Sequence, residues 1–353
     1  MSLGCHRRPP KAPLWGWTVR RHHIKKILLQ LGTPYPLWGV GAAYPFLGVG
    51  NTQVAGVFDA VLAYDAGVDC VLPLSNVRLQ DVRTLVHETV FARNAADLKN
   101  LAIFIGGSDV AAGEVLLKAI QDAFFGPMRV SVMLDSNGCN TTAAAVVAKI
   151  LSTGDAAGIG TPYPLLGERA VVLAGTGPVG LRTAALLARE GARVTLASRR
   201  LSRAQAACTS ILERFGVSVG AAQVTDAARY SVPPLGGELG HALEGAQVVV
   251  TAGAAGITLL PQTIWSSHPT LRILADVNAV PPLGIEGIEP AWDAERRDGR
   301  VIFGALGIGA LKKRIHYTCL ARLFERNDQI FDAEGIGSIA KELERGCPSS
   351  SLA

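Results

Sequence analysis

The stretch VVLAGTGPVGLRTAALLAREGARVTLASRR, residues 171–200, narrows the possible folds more than any other. Gly175, Gly177 and Gly180 follow an apolar run, Ala170–Ala174, and open an amphipathic segment, Val179–Arg189. A second apolar run begins 13 residues after the third glycine, at Arg193. Strand, glycine turn, helix and strand in that order are what a dinucleotide-binding unit requires. Gly175 permits the tight turn, Gly177 lets the backbone approach a pyrophosphate, and Gly180 lets the helix pack against the strand. Thr176, Pro178 and Val179 complete the loop, and the helix N-terminus supplies unpaired N–H groups and a positive dipole for phosphates. A glycine turn in some other α/β protein is the plainer alternative.

The end of the second run bears on which dinucleotide. An NAD site usually places an acid there, against the ribose 2′-hydroxyl. This chain has Ser198, Arg199 and Arg200, with Arg203 beyond. Guanidinium groups without a carboxylate suit a 2′-phosphate, so NADP is expected, with NAD possible. Solvated loop arginines are the bland reading of the same residues.

Apolar runs alternate with helical patterns along the rest of the chain. Strands are expected at 27–31, 70–74, 101–107 and 129–134, with helices at 54–67, 78–89, 109–124 and 140–152. A second series of strands is expected at 169–175, 193–200, 246–253, 271–278 and 300–307, and a last helix at 308–325. Such alternation indicates parallel sheets covered by helices on both faces. The fold class is α/β: a Rossmann-type NAD(P)-binding domain plus an N-terminal α/β substrate domain with a parallel sheet. The expected organisation is a basic, disordered leader at 1–23, a substrate domain at 24–155 and a linker at 156–168. A dinucleotide domain at 169–310, returning C-terminal helices at 311–345 and a tail at 346–353 follow.

Charge and cysteine usage exclude several classes. The formal charge is +5, but residues 1–26 hold seven bases and no acid, leaving 27 bases against 29 acids elsewhere. The body therefore has no nucleic-acid footprint. No charge occurs between Ile27 and Phe58, yet Pro34, Pro36 and Pro45 break any apolar helix there, so no membrane span is expected. The six cysteines are scattered with no metal-like spacing, which favours a reducing, cytoplasmic compartment and no metal site.

Further landmarks are MLDSNGCNTTAAA (133–145), TAGAAG (251–256), ADVNAVPPLGIEG (275–287) and FGALGIGALKKRIH (303–316). Together with LAGTGPVG, these resemble the bacterial methylene-tetrahydromethanopterin dehydrogenases and their methylene-tetrahydrofolate relatives, from about residue 53 to 343. The resemblance implies a monofunctional dehydrogenase of one-carbon metabolism and formaldehyde oxidation that oxidises methylene-tetrahydromethanopterin to the methenyl form by hydride transfer to NADP or NAD. A methylene-tetrahydrofolate dehydrogenase and a non-catalytic NADP-binding protein are the alternatives. It also implies a homo-oligomer, built on trimers. Asp59 and Lys312 match family active-site positions: a carboxylate beside the developing cation and an ammonium on a pterin carbonyl. An exposed acid on an amphipathic helix and a basic helix face are their respective alternatives. His316 lies one turn beyond Lys312 and is a substrate-contact candidate. Asp135, Asn137 and Asn140 fall at a strand-to-helix junction, where ligands gather; N-capping by Asn140 is equally consistent. Thr251, Ala252, Gly253, Asp276 and Asn278 end later strands and are expected near the nicotinamide.

The octapeptides GTPYPLWG (32–39) and GTPYPLLG (160–167), with a partial copy at 43–48, fall at loop positions. Family members run through both junctions more directly, so the copies read as tolerated loop insertions.

Overall fold

The computed structural model describes residues 25–32, 56–153, 165–225 and 237–345. The expected leader, most of both octapeptides, the partial copy and the C-terminal tail lie outside these residues. The first series comprises β1 (Ile27–Gly32), α1 (Val57–Asp65), β2 (Cys70–Leu74), α2 (Leu79–Phe91), β3 (Leu101–Gly106), α3 (Val110–Ala123), β4 (Ser131–Leu134) and α4 (Cys139–Ser152). Then come β5 (Arg169–Leu173), α5 (Pro178–Arg189), β6 (Arg193–Ser198), α6 (Leu201–Phe215), β7 (Gly220–Gln223), α7 (Glu238–Leu243) and β8 (Val248–Thr251). The chain continues through α8 (Gln262–Ser267), β9 (Ile273–Asp276), β10 (Glu295–Arg297), β11 (Arg300–Phe303), α9 (Ala305–Arg322), β12 (Ile330–Phe331) and α10 (Ala333–Arg345).

Two sheets result. The first has strand order β12-β4-β3-β1-β2 and is parallel throughout. The second has order β10-β11-β9-β8-β5-β6-β7; only β10 runs antiparallel, as an edge hairpin with β11. Both sheets reverse direction of growth once, at β1/β3 and at β5/β8. Ligands of open α/β sheets bind beyond the strand C-termini at such switch points.

Helix α4 connects the two. Its residues from Cys139 to Ala148 are buried apart from Thr142, and the run Ala143–Ala145 keeps neighbouring helices close. It packs against α5 of the second sheet and against α9 and α10, which return to the first. A helix buried on nearly all sides reads as apolar all round rather than amphipathic. The C-terminal return ends in β12, whose Ile330 and Phe331 pair with Val132 and Met133. A two-residue strand leaves no periodicity to read in the sequence, and β7 (GAAQ) has no β-branched residue to signal one.

One buried polar cluster crosses from α4 to α5. Arg182, on α5, donates to Asn140 Oδ1, to Glu114 Oε1 at 2.6 Å and to the Pro178 carbonyl at 3.3 Å. It is 4% exposed. Removing one member of a buried charged pair costs more than the pair contributes. Arg182→Ala is therefore expected to destabilise the fold by about 3 kcal/mol, read as a lower urea midpoint with an unchanged slope.

Candidate active site

At the second switch point the glycine turn behaves as its spacing implies. A Cβ on Gly180 would lie 2.5 Å from the Gly175 Cα and carbonyl oxygen, so only glycine lets α5 approach the turn. A Cβ on Gly175 would meet Val172 at 2.8 Å. At Gly177 nothing lies within 4 Å of that position, which leaves the backbone open to a phosphate. Thr176, Pro178 and Val179 border this opening, with Pro178 at the first position of α5. These residues fit a dinucleotide pyrophosphate. At the end of β6, Ser198 is buried, while Arg199 and Arg203, the latter in the first turn of α6, are exposed. Neither arginine has an ion-pair partner among the described residues.

The residues expected near the nicotinamide are more inward than their motif positions suggest. Thr251 Oγ1 donates to Asp276 Oδ1 at 2.8 Å. Asp276 also accepts the backbone N–H groups of Asn278 (2.9 Å) and Ile285 (3.1 Å). A Cβ on Gly284 would meet both Thr251 Oγ1 and Asp276 Oδ1 at 2.7 Å, so the loop closes over the pair. Asn278 Nδ2 donates to the Val280 and Pro282 carbonyls. Thr251, Asp276 and Asn278 thus shape the 278–285 loop, and Ala252 and Gly253 remain half-buried at its mouth.

At the first switch point, α1, the β4–α4 turn and α9 bring four predicted residues together. Asp59 is partly buried, its Oδ2 lying 3.4 Å from where a Cβ on Gly106 would be. Burial pushes its carboxyl up to about 7; the Asp135 charge adds to this and Lys312 opposes it. Lys312 is half-buried on α9, whereas Lys313 and Arg314 face solvent, so the basic run is not one solvated face. Gly138, at φ 59°, leaves the space for Lys312: a Cβ there would sit 2.7 Å from Nζ. His316 lies behind Asp59 rather than in the opening, 1% exposed, with Nε2 3.8 Å from Asp59 Oδ1 and Nδ1 3.5 Å from Asp135 Oδ2. Burial holds its imidazole below the usual value, Asp135 opposing and Lys312 reinforcing.

Asp135 is buried and accepts the backbone N–H groups of Asn140 (2.9 Å) and Thr141 (3.1 Å) and the Thr141 hydroxyl (2.6 Å). The cap of α4 is therefore this aspartate, not Asn140. Asn140 instead donates to the Leu134 carbonyl at 2.6 Å and accepts from Arg182, so both ends of its amide are engaged. Asn137 is exposed, in the left-handed region at φ 55°, beside this turn. Burial pushes the Cys139 thiol up to about 12, which rules out a thiolate role at neutral pH.

Gln30 was not singled out by sequence reasoning. It is buried in β1, and its Nε2 donates to the Gly56 carbonyl at 2.9 Å, next to Asp59. Its Oε1 and both His316 ring nitrogens are three of the five buried side-chain polar atoms without a hydrogen-bond partner among the described residues. Orphaned polar atoms gathered at one place mark a site rather than a core. The lone polar residue in ILLQLG was the signal. Among the described residues no group of three His, Cys, Asp or Glu side chains is placed to hold a metal.

An α/β protein with a dinucleotide turn at one sheet and a carboxylate–ammonium cluster at the other belongs to the broad class of nicotinamide-binding proteins. Comparison with known sequences narrows this. The family model for the N-terminal part of methylene-tetrahydromethanopterin dehydrogenase matches residues 57–137, and an NAD(P)-binding family model matches 165–285. The bifunctional protein MdtA of Methylorubrum extorquens is 47% identical over 81% of this chain and 94% of its own length. The NAD(P)-dependent methylenetetrahydromethanopterin dehydrogenase of the same organism is 32% identical, over 77% of this chain and 89% of its own. The chain belongs to the methylene-tetrahydromethanopterin dehydrogenase family. A 5-ketofructose reductase structure from Gluconobacter aligns over 90% of this chain and 99% of that one, at 14% identity and a TM-score of 0.42, too loose a likeness to bear on function.

Two outcomes follow from this geometry. Gly177→Ala is expected to leave the unfolding midpoint unchanged while weakening dinucleotide binding at least tenfold, whereas Gly180→Ala lowers the midpoint itself; calorimetric titration and urea melts separate the two. Asp59 has a folded pKa raised above its unfolded value of 3.8. Its contribution is therefore favourable at acid pH and is lost as pH rises through about 7. Asp59→Asn is expected to stabilise the protein by on the order of 1 kcal/mol at alkaline pH, with the gain vanishing in acid melts.

Proposed function

We propose that this chain oxidises the one-carbon bridge of methylene-tetrahydromethanopterin to the methenyl cation, passing hydride to a nicotinamide dinucleotide, with NADP preferred over NAD. The observation that carries this reading is the gathering of Asp59, Lys312 and His316 at the first switch point, with α4 and Arg182 linking that edge to the Pro178 turn. Hydride leaves the bridge and a resonance-stabilised amidinium remains, so the protein supplies proximity and charge rather than a strong base. Bound NAD(P)+ supplies the hydride acceptor. Asp59 faces the developing cation, and the Lys312 ammonium bonds a carbonyl of the pterin and fixes the ring. Asp135 and Asn140 hold the β4–α4 turn, and exposed Asn137 offers the pterin a further polar contact.

Preference for NADP rests on Arg199 and Arg203, exposed and without ion-pair partners among the described residues, beside a strand end that lacks an acid. Glycine-turn contacts serve either coenzyme. The pterin is the partner, with no nucleic acid or membrane in this reading. No helix among the described residues is long and apolar enough to cross a membrane. A cytoplasmic setting is supported by free thiols at Cys70, Cys139, Cys208 and Cys319. Assembly into a homo-oligomer is supported by the exposed apolar side chains Val57, Phe58, Val61 and Tyr64 along α1; a trimer-based form rests on the family resemblance alone.

Purified protein with NADP or NAD and each methylene pterin tests the reading through absorbance of the reduced nicotinamide. Turnover with the methanopterin is the expected result; turnover with the folate alone, or tight NADP binding with no turnover, contradicts it. Lys312→Ala is expected to lower kcat/KM for the pterin by at least 100-fold with little change in NADP affinity. Arg199→Ala with Arg203→Ala is expected to weaken NADP at least tenfold and to leave NAD unchanged. Only ionised Asp59 stabilises a cation, so kcat/KM rises with pH through about 7.

A further inference from the structure

Hydride transfer by itself gives no work to a buried imidazole, yet His316 sits between two carboxylates with neither nitrogen hydrogen-bonded. We infer that His316 is a positioning residue: Asp135 fixes its proton on Nδ1, and the Nε2 lone pair left facing Asp59 holds the Asp59 proton until the substrate cation displaces it. This rests on the proposed role of Asp59 beside the pterin and adds the device that sets its charge.

The tautomer follows from what Asp135 already does. Three donors, two backbone N–H groups and the Thr141 hydroxyl, point at its oxygens. A carboxylate so served is an acceptor toward everything else, His316 included. The ring nitrogen on its side, Nδ1 at 3.5 Å, therefore carries the hydrogen. A neutral imidazole has one N–H, so Nε2 is an acceptor where it meets Asp59 Oδ1 at 3.8 Å. Both approaches exceed a hydrogen bond by roughly 0.5–1 Å, so they set which carboxylate each nitrogen faces without a formed hydrogen bond. The ring cannot turn freely, because Phe104 and Phe58 pack against it at centroid distances of 5.5 and 6.0 Å.

Protonated Asp59 is the form complementary to a lone pair; ionised Asp59 is not. The charged or titratable groups facing Asp59 are Lys312 and His316 from α9 and Asp135 from the β4–α4 turn. Gln30 of β1 and Gly106 of β3 add no charge there. Cys319, a turn further along α9, has its thiol driven far up by burial and stays neutral. Lys312 alone favours the ionised form, so the arrangement is balanced and a cation on the substrate tips it. The bookkeeping closes without an added reactant. Hydride and its electron pair pass from the bridge carbon to NAD(P)+, the neutral substrate becomes the methenyl cation, and the Asp59 proton leaves to solvent, leaving carboxylate against cation.

Two readouts on the full-length enzyme test this. Two-bond 1H–15N correlation spectra of 15N-histidine-labelled protein report each ring's tautomer, and the His316 signal is the one missing from His316→Phe. A neutral ring protonated on Nδ1 at neutral pH is expected; an Nε2–H tautomer or an imidazolium overturns the inference, whatever the enzyme's substrate. In pH profiles of kcat/KM for methylene-tetrahydromethanopterin, His316→Phe is expected to move the acid limb down by about one unit with KM for NADP unchanged. His316→Gln, whose amide reaches the Nε2 position, is expected to restore the limb, and it serves for the assignment should the phenylalanine variant fail to fold. An acid limb identical in wild type and either apolar variant, His316→Phe or His316→Leu, overturns the inference. Absence of pterin turnover in the wild type contradicts the proposed function instead and leaves the tautomer result standing.

Discussion

The carboxylate of Asp135 is the contact on which the rest of the molecule depends. It ends β4, caps the first turn of α4 through the Asn140 and Thr141 amides, and faces His316 of α9. Helix α4 is the shared core of both sheets, so the group that starts it also sets where α5, α9 and α10 can pack. From the same turn, Asn140 reaches Arg182, and Arg182 reaches the Pro178 carbonyl at the dinucleotide loop. A negative charge at a helix N-terminus is favourable in itself. Here one acid joins a helix start, a histidine and, through a single amide, the opposite half of the protein.

Around that contact the fold repeats one device at both ends. Each sheet reverses its order once, and each reversal opens a crevice at the strand C-termini. One crevice is lined by backbone and glycine, suited to phosphates. The other is lined by acid and ammonium, with an imidazole buried behind the acid, suited to a ring that acquires positive charge. Stability is spent at the second: an aspartate whose carboxyl is pushed up to about 7, and three orphaned polar atoms, would be faults in a structural core. Such strain is characteristic of functional sites.

Much of this was legible in the sequence, for reasons that can be named. Gly175 and Gly180 are legible because each answers a steric demand of a local strand–turn–helix unit, and Gly177 because its place between them leaves the backbone open. Asp59 and Lys312 are singled out through motif resemblance, since a helix pattern alone does not tell one acid or lysine from its solvated neighbours; the structure brings the two to one switch point. The structure reassigns several neighbours. Asn140 reads as a cap, but the cap is Asp135, five residues earlier, across a left-handed turn that spacing does not reveal. His316 reads as a substrate contact because it shares a face with Lys312, yet that face tilts into the core after one turn. Thr251 and Asp276 stand at strand ends but turn toward each other, because the loop ending at Gly284 seals them. Gln30 was hidden by its apolar neighbours, and β12 by its length.

The central claim is that the two crevices serve one direct transfer, bridge carbon to nicotinamide. Methylene-tetrahydromethanopterin carrying deuterium at both bridge positions tests it most directly. With NADP as acceptor, the account expects one deuterium on the reduced nicotinamide ring, on a single face, and the other retained in the methenyl product. Deuterium appearing in solvent water, or a reduced coenzyme free of label, would contradict it.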